Sequence, residues 1–130
     1  MAKILCVDDD LPFVNQECTL LQGAGHTVTI ATSAREAIEK LQSEEFDLVV
    51  TGWHLGDADG RGVIKAAQNN KGRAIPVVVV TSYLEHAFQA PEPEADLYLE
   101  KPVDPKELIL IVNELLKRAQ PLMPAADLYL

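Results

Sequence analysis

Cysteine is scarce in this chain, with two residues in 130, Cys6 and Cys18. Both fall in stretches that read as core elements, and neither has a neighbour at metal-ligand spacing. They therefore read as small buried thiols, not as a disulfide or a metal site. Positive charge is also in short supply: eleven basic residues stand against twenty acidic ones, a net charge of −9. Such a surface repels phosphate backbones, which argues against direct nucleic-acid binding. Long apolar runs are missing. The longest are strand-sized, such as Val77-Val78-Val79-Val80, far short of the roughly 20 residues of a membrane span. The N-terminus, MAKILCVDDD, has one lysine and a short apolar run closed by three aspartates. It lacks the longer apolar stretch and small-residue cleavage site of a signal peptide. The expectation is a cytoplasmic protein with no membrane contact.

What is present is the composition of a globular domain, 48% hydrophobic and 24% charged. At 130 residues one domain is the default, large enough to bury a core without a staple. Lys3 to Val7 reads as a strand buried on both faces and closed by Asp8-Asp9-Asp10. Asp10 can cap a helix that runs to about Gly23 and turns Val14, Cys18 and Leu21 inward. His26 to Ile30 alternates and is β-branched, a second strand. Ser33-Ala34-Arg35-Glu36 is a capping box before a helix with Ala37, Ile38 and Leu41 inside. Phe46 to Thr51 is a third strand, followed by a loop from Gly52 to Gly60 and a helix from about Arg61 to Asn69. Ile75 to Val80 is almost pure valine and reads as a central strand.

Tyr83 to Gln89 has room for two helical turns before Pro91 and Pro93 stop it. Asp96 to Leu99 is a short fifth strand at an edge. Asp104-Pro105-Lys106-Glu107 opens a last helix that reaches about Ala119, with Leu108, Val112, Leu115 and Leu116 as its stripe. Strand and helix thus alternate five times. The expected fold is α/β, a doubly wound five-stranded parallel sheet in the order 2-1-3-4-5 with a shortened fourth helix. Residues 1–120 form this domain and 121–130 a tail. PEADLYL at Pro93–Leu99 returns in that tail as PAADLYL at Pro124–Leu130. The repeat suggests that the tail packs on the domain or on a neighbour, one route to a homodimer.

In doubly wound folds the functional crevice lies at the carboxyl ends of the strands. There the sequence places Asp8 and Asp9 after strand one, Gly52 after strand three, Thr81 after strand four and Lys101-Pro102 after strand five. Paired carboxylates suit a hard divalent cation such as Mg²⁺. A lysine and a hydroxyl suit the oxygens of a phosphoryl group.

At these residues the chain resembles a known family. KILCVDDD, FDLVVTGWHLGDADG, VVVVTS and DLYLEKP are together similar to the receiver domains of two-component response regulators, a flavodoxin-like fold. The resemblance covers about residues 2 to 120. It implies that Asp8 and Asp9 match the acid pair that holds Mg²⁺, with the main-chain carbonyl of His54 as a further ligand. Thr81 matches the switch hydroxyl, Tyr98 the switch aromatic, Lys101 the lysine of the site, and Pro102 the cis-proline after it. It also implies a protein partner: a kinase, an output domain or an adaptor target.

Gly52 falls where that family carries its phosphoacceptor aspartate. Glycine offers no carboxylate, so no acyl phosphate forms there. With two acids and one lysine the pocket holds about −1 rather than about −2, so Lys101 can pair with Asp8 or Asp9, and Mg²⁺ is expected to bind weakly or not at all. The expectation is an atypical receiver that signals by protein contact, is not an enzyme, and needs no cofactor. Two alternatives stand beside it. Asp57 or Asp59 could serve as a non-standard acceptor. Alternatively, VDDDL could be the Asp-x-Asp motif of a small phosphatase, with Asp8 as nucleophile and Asp10 as acid/base. The His54 imidazole could also join Asp8 and Asp9 around a transition metal. Trp53 should pack under the third helix, the alternative being that it fills the space the missing aspartate leaves.

Overall fold

A computed structural model describes residues 2–90 and 92–119; the repeated tail sequence, and with it the expected packing or dimer contact, lies outside the described residues. The strands are β1 (Lys3–Val7), β2 (Thr27–Ala31), β3 (Leu48–Thr51), β4 (Val77–Thr81) and β5 (Leu97–Glu100). The helices are α1 (Leu11–Gly23), α2 (Ala34–Ser43), α3 (Arg61–Gln68), α4 (Leu84–Gln89) and α5 (Pro105–Ala119). All neighbouring strands pair parallel, in the order β2-β1-β3-β4-β5. The expected fold and its short fourth helix, of six residues, are both present.

Successive side chains of a strand point to opposite faces. Ile4 and Cys6 of β1 accordingly join Val14 and Leu21 of α1 and Leu108 and Val112 of α5 on one side of the sheet. Leu5 and Val7 join Ala37 and Leu41 of α2, Val63 and Ile64 of α3 and Ala87 of α4 on the other. The interior strands β3 and β4 are buried along their whole length, as a sheet covered on both faces requires.

Two aspartates fix the register. Asp47, just before β3, accepts the Lys3 amide at 2.8 Å and donates its own amide to the Lys3 carbonyl at 2.7 Å. Asp96, just before β5, does the same with Val77, at 2.7 Å and 2.9 Å. Each Asp-Leu pair thus ends a loop and starts a strand with no unpaired amide at the join. At the same end of the sheet, His26 Nδ1 accepts the Ala2 amide, which leaves its Nε2–H to donate to Asn113 Oδ1 at 2.9 Å.

The expected caps also form. Asp10 accepts from the Phe13 amide and Ser33 from the Glu36 amide. The Glu36 carboxylate reaches back one residue further than a capping box requires, to the Thr32 amide at 2.7 Å. One inward face differs from expectation. On α1 the buried residues are Val14, Glu17 and Leu21, while Cys18 is only half-buried. Positions 17 and 18 flank the line through 14 and 21 on a 3.6-residue helix. Periodicity leaves that choice open, and the packing of α1 on the sheet decides for the glutamate.

Candidate functional site

The carboxyl ends of β1, β3, β4 and β5 surround a cleft of about 270 Å³ whose lining includes Asp8, Asp9, Gly52, His54, Thr81 and Lys101. The topology alone brings these together, since β1 lies beside β3, β3 beside β4, and β4 beside β5. Lys101 Nζ donates to Asp8 Oδ2 at 2.9 Å across 93 residues of sequence. The ammonium also sits 3.9 Å from the centre of the Phe13 ring, which shields the pair from one side. Asp8 Oδ1 accepts the Asp10 amide at 2.9 Å. Burial pushes the Asp8 carboxyl above its ordinary range. The Asp10 amide and the Lys101 ammonium oppose that push, and the neighbouring Asp9 charge adds to it. Of the two acids that could pair with the lysine, Asp8 holds it; Asp9 is exposed and faces the Gly56 turn.

Gly52 sits on the floor of the cleft, with its amide held by the Val7 carbonyl at 2.8 Å. Its backbone lies outside the left-handed region, so the conformation does not require glycine. A Cβ there would lie 3.1 Å from Asp8 Oδ2 and 3.2 Å from Leu55 Cδ2, so a side chain would point at the Asp8 carboxylate. Gly60 is a different case. Its Cβ would come within 2.9 Å of the Gly52 carbonyl oxygen, a backbone atom that cannot swing away, so the close approach of these two turns needs a glycine there.

Thr81 is buried, and its Oγ1 accepts the Tyr83 amide at 3.0 Å. The Lys101–Pro102 peptide is cis, and the Lys101 amide continues the ladder to the Thr81 carbonyl. Tyr98 stands apart from the cleft, half-buried, with its hydroxyl oxygen accepting the Ala95 amide at 2.9 Å and its ring 5.0 Å from Phe88. Trp53 is buried in the cluster that holds Val63 and Ile64, under α3 as expected.

The loop acids have other partners. Asp57 accepts the amides of Ala34 and Arg35 at 2.9 and 3.0 Å and so caps α2. Those two amides hold its carboxyl below the ordinary range, the Ala34 bond first. Asp59 pairs with Arg61 at 3.1 Å. Neither acid lines the cleft.

Three features were not foreseen from the sequence. Glu17 is buried, and neither of its carboxyl oxygens has a hydrogen-bond partner among the described residues. The His54 imidazole meets His86, a partner that nothing in the sequence suggests. Asp57 supplies a cap to a helix that starts more than twenty residues before it. The last two are long-range contacts with no local signature. The first could have been suspected from a charged residue one step off an apolar stripe.

Comparison with known proteins gives the same picture. The family model described as the response regulator receiver domain matches residues 4–113. Over 103 residues, 78% of the chain, the sequence is 37% identical to the transcriptional regulatory protein ZraR of Escherichia coli. That match covers 23% of ZraR, so the chain spans about a quarter of the length of this relative. Among solved structures, a CheY-like receiver domain protein from Methanospirillum hungatei superposes with a TM-score of 0.83 at 31% identity, covering 92% of this chain and 97% of that one. The response regulator TrrA of Thermotoga maritima, solved in complex with Mg(2+)-BeF, gives 0.79 at 27% identity over 88% of this chain and 99% of its own. A five-stranded parallel sheet with a lysine–aspartate pair at its carboxyl edge, matched over most of its length by one family model, places this chain in the response regulator receiver domain family.

Proposed function

We propose that this chain is a receiver module of two-component signalling that works by protein contact, without aspartyl phosphorylation at position 52. The observation that carries the reading is Gly52, on the floor of the cleft, where a side chain would point at Asp8. The lysine that would meet an incoming phosphoryl group is instead paired with Asp8. Asp57 and Asp59 are engaged outside the cleft, which counts against a displaced acceptor. The phosphatase alternative is weakened in a similar way. Asp8 is held by two donors, and Asp10, the expected acid/base, caps α1. The partner of such a module would be a kinase, an output domain or an adaptor target.

The donor set that remains fits Mg²⁺ in kind. Two carboxylates, of Asp8 and Asp9, and the His54 carbonyl are oxygen ligands, with water to complete the shell. When bound, the ion would neutralise negative charge in the cleft. Lys101 already does part of this for Asp8, so the need for the ion is smaller here than in a pocket with three acids.

Intact-mass analysis after incubation with acetyl phosphate and Mg²⁺ tests the reading. The natural chain is expected to stay unmodified. The Gly52→Asp variant is expected to gain one phosphoryl group, since the approach to Asp8 and Leu55 asks its neighbours to give by only a few tenths of an ångström. A phosphorylated natural chain would overturn the proposal, and peptide mapping would then find the acceptor.

A further inference from the structure

His54 and His86 form a pair on the rim of the cleft that the receiver reading does not use. His54 belongs to the loop after β3 and His86 to α4, yet His54 Nε2 and His86 Nδ1 are 2.8 Å apart. The rings stand at 89° with centroids 5.1 Å apart. Tyr83 stacks on His86 at 5.3 Å and 11°, and meets the His54 ring edge-on at 5.3 Å. One aromatic side chain therefore steadies both imidazoles. Both rings are exposed, so the pair is open to solutes.

Two neutral imidazoles so placed share one proton between a donor and an acceptor nitrogen. The same separation is close to that of two adjacent ligands on a metal ion. With metal–nitrogen bonds of about 2.0–2.1 Å and angles of about 90–110°, the nitrogens lie roughly 2.9–3.4 Å apart. We propose that His54 and His86 together form a two-imidazole site for a borderline divalent transition-metal ion such as Zn²⁺, Ni²⁺ or Cu²⁺. The shared proton moves to the far nitrogen of its own ring, and the two exposed rings turn to aim their lone pairs at an ion beside the N···N line, since two bonds of about 2.0–2.1 Å do not fit along 2.8 Å. Each imidazole then offers a lone pair, and no net proton is lost.

Imidazole suits these ions, whereas Mg²⁺ keeps to oxygen. The carboxylates of Asp8 and Asp9 line the same cleft as His54 and favour any approaching cation. Among the described residues no group of three or more His, Cys, Asp or Glu side chains is placed to hold a metal. The site thus has two protein ligands and leaves its other positions to water or to a ligand from a partner. Because the two histidines belong to different elements, a bound ion would tie the β3–α3 loop to α4. That gives the cleft an input independent of phosphoryl transfer, and it does not depend on the acceptor being absent.

The test uses the full, untagged, metal-free chain. Zn²⁺ is titrated by calorimetry, and Ni²⁺ or Cu²⁺ by quenching of the single tryptophan, Trp53, which precedes His54 in sequence. One equivalent should bind saturably, unaffected by excess Mg²⁺. His54→Ala and His86→Ala should each lower the affinity by at least about tenfold, about 1.4 kcal/mol. Cys18→Ser, which removes the more accessible thiol, should bind like the natural chain. Absence of saturable binding, or binding that survives either histidine substitution, would overturn the proposal. Both histidines are exposed, so circular dichroism is expected to show each variant folded like the natural chain.

Discussion

At the mouth of the crevice Asp8 is 2% exposed, and it receives an ammonium and an amide. On the inner face of α1 Glu17 is 3% exposed, and its carboxyl has no hydrogen-bond partner among the described residues. Burial is the main force on both, and it pushes both carboxyls upward. For Asp8 the Lys101 ammonium at 2.9 Å works against that push. Glu17 gains less. Its carboxyl is driven well above the ordinary range by desolvation and then by the negative charge of Asp8, with only a weaker pull from Lys101. A withdrawn acid with no partner is cheapest when neutral. The comparison separates two uses of buried charge. Asp8 belongs to an ion pair that the sheet topology assembles, whereas Glu17 occupies a place where an apolar residue would do.

The largest test breaks the satisfied member. Lys101→Met keeps an apolar stem beside Phe13 but leaves Asp8 buried and unpaired. It should cost about 3 kcal/mol in urea unfolding at neutral pH, most of it regained when Asp8→Asn is added. Equal losses in the single and double variants would mean that the lysine stabilises by packing alone. The next test removes the unsatisfied member. Glu17→Leu should stabilise the domain by about 1–2 kcal/mol, because it replaces a lone buried carboxyl with matching apolar volume. A destabilised variant would show that Glu17 has a partner.

The smallest effect is in the pH dependence. The folded-state value of Glu17 lies above its ordinary 4.5, so the folded state keeps this proton longer than the unfolded chain does. Its contribution to stability is therefore full below about 4.5 and is lost as pH rises through the raised folded value. Asp8 contributes with the same sign in both proteins. The natural chain should thus lose stability faster than Glu17→Leu as pH is raised from 4.5 towards neutrality. Parallel curves would place Glu17 in a wetter setting than its burial implies.

Much of this architecture is legible in the sequence. The valine run of β4, the Ser33 capping box and the Asp104-Pro105 helix start are local signals, and local signals survive into the fold. Strand-end positions for Asp8, Gly52, Thr81 and Lys101 followed from the alternation of strands and helices, and the topology then converged them. The partner of Lys101 was narrowed to two acids, because proximity at an edge does not say which carboxylate points inward. Cys18 reads as inward from the sequence while Glu17 is the residue buried, because the two flank one line on a helix and only the packing of α1 on the sheet chooses between them. The meetings of His54 with His86 on α4, and of Asp57 with the start of α2, depend on how the β3–α3 loop folds against those two helices, which periodicity does not encode.

The register aspartates have one more consequence. Asp96 reaches from the edge strand to the first amide of β4, so the Val77 N–H is sheltered only while β5 stays docked. Deuterium labelling at that single amide therefore counts openings of the sheet's outer margin, and the Lys3 amide, held by Asp47, gives the corresponding clock for the middle of the sheet. Any partner that grips or loosens the β5 side would change the first clock and leave the second running at its own pace.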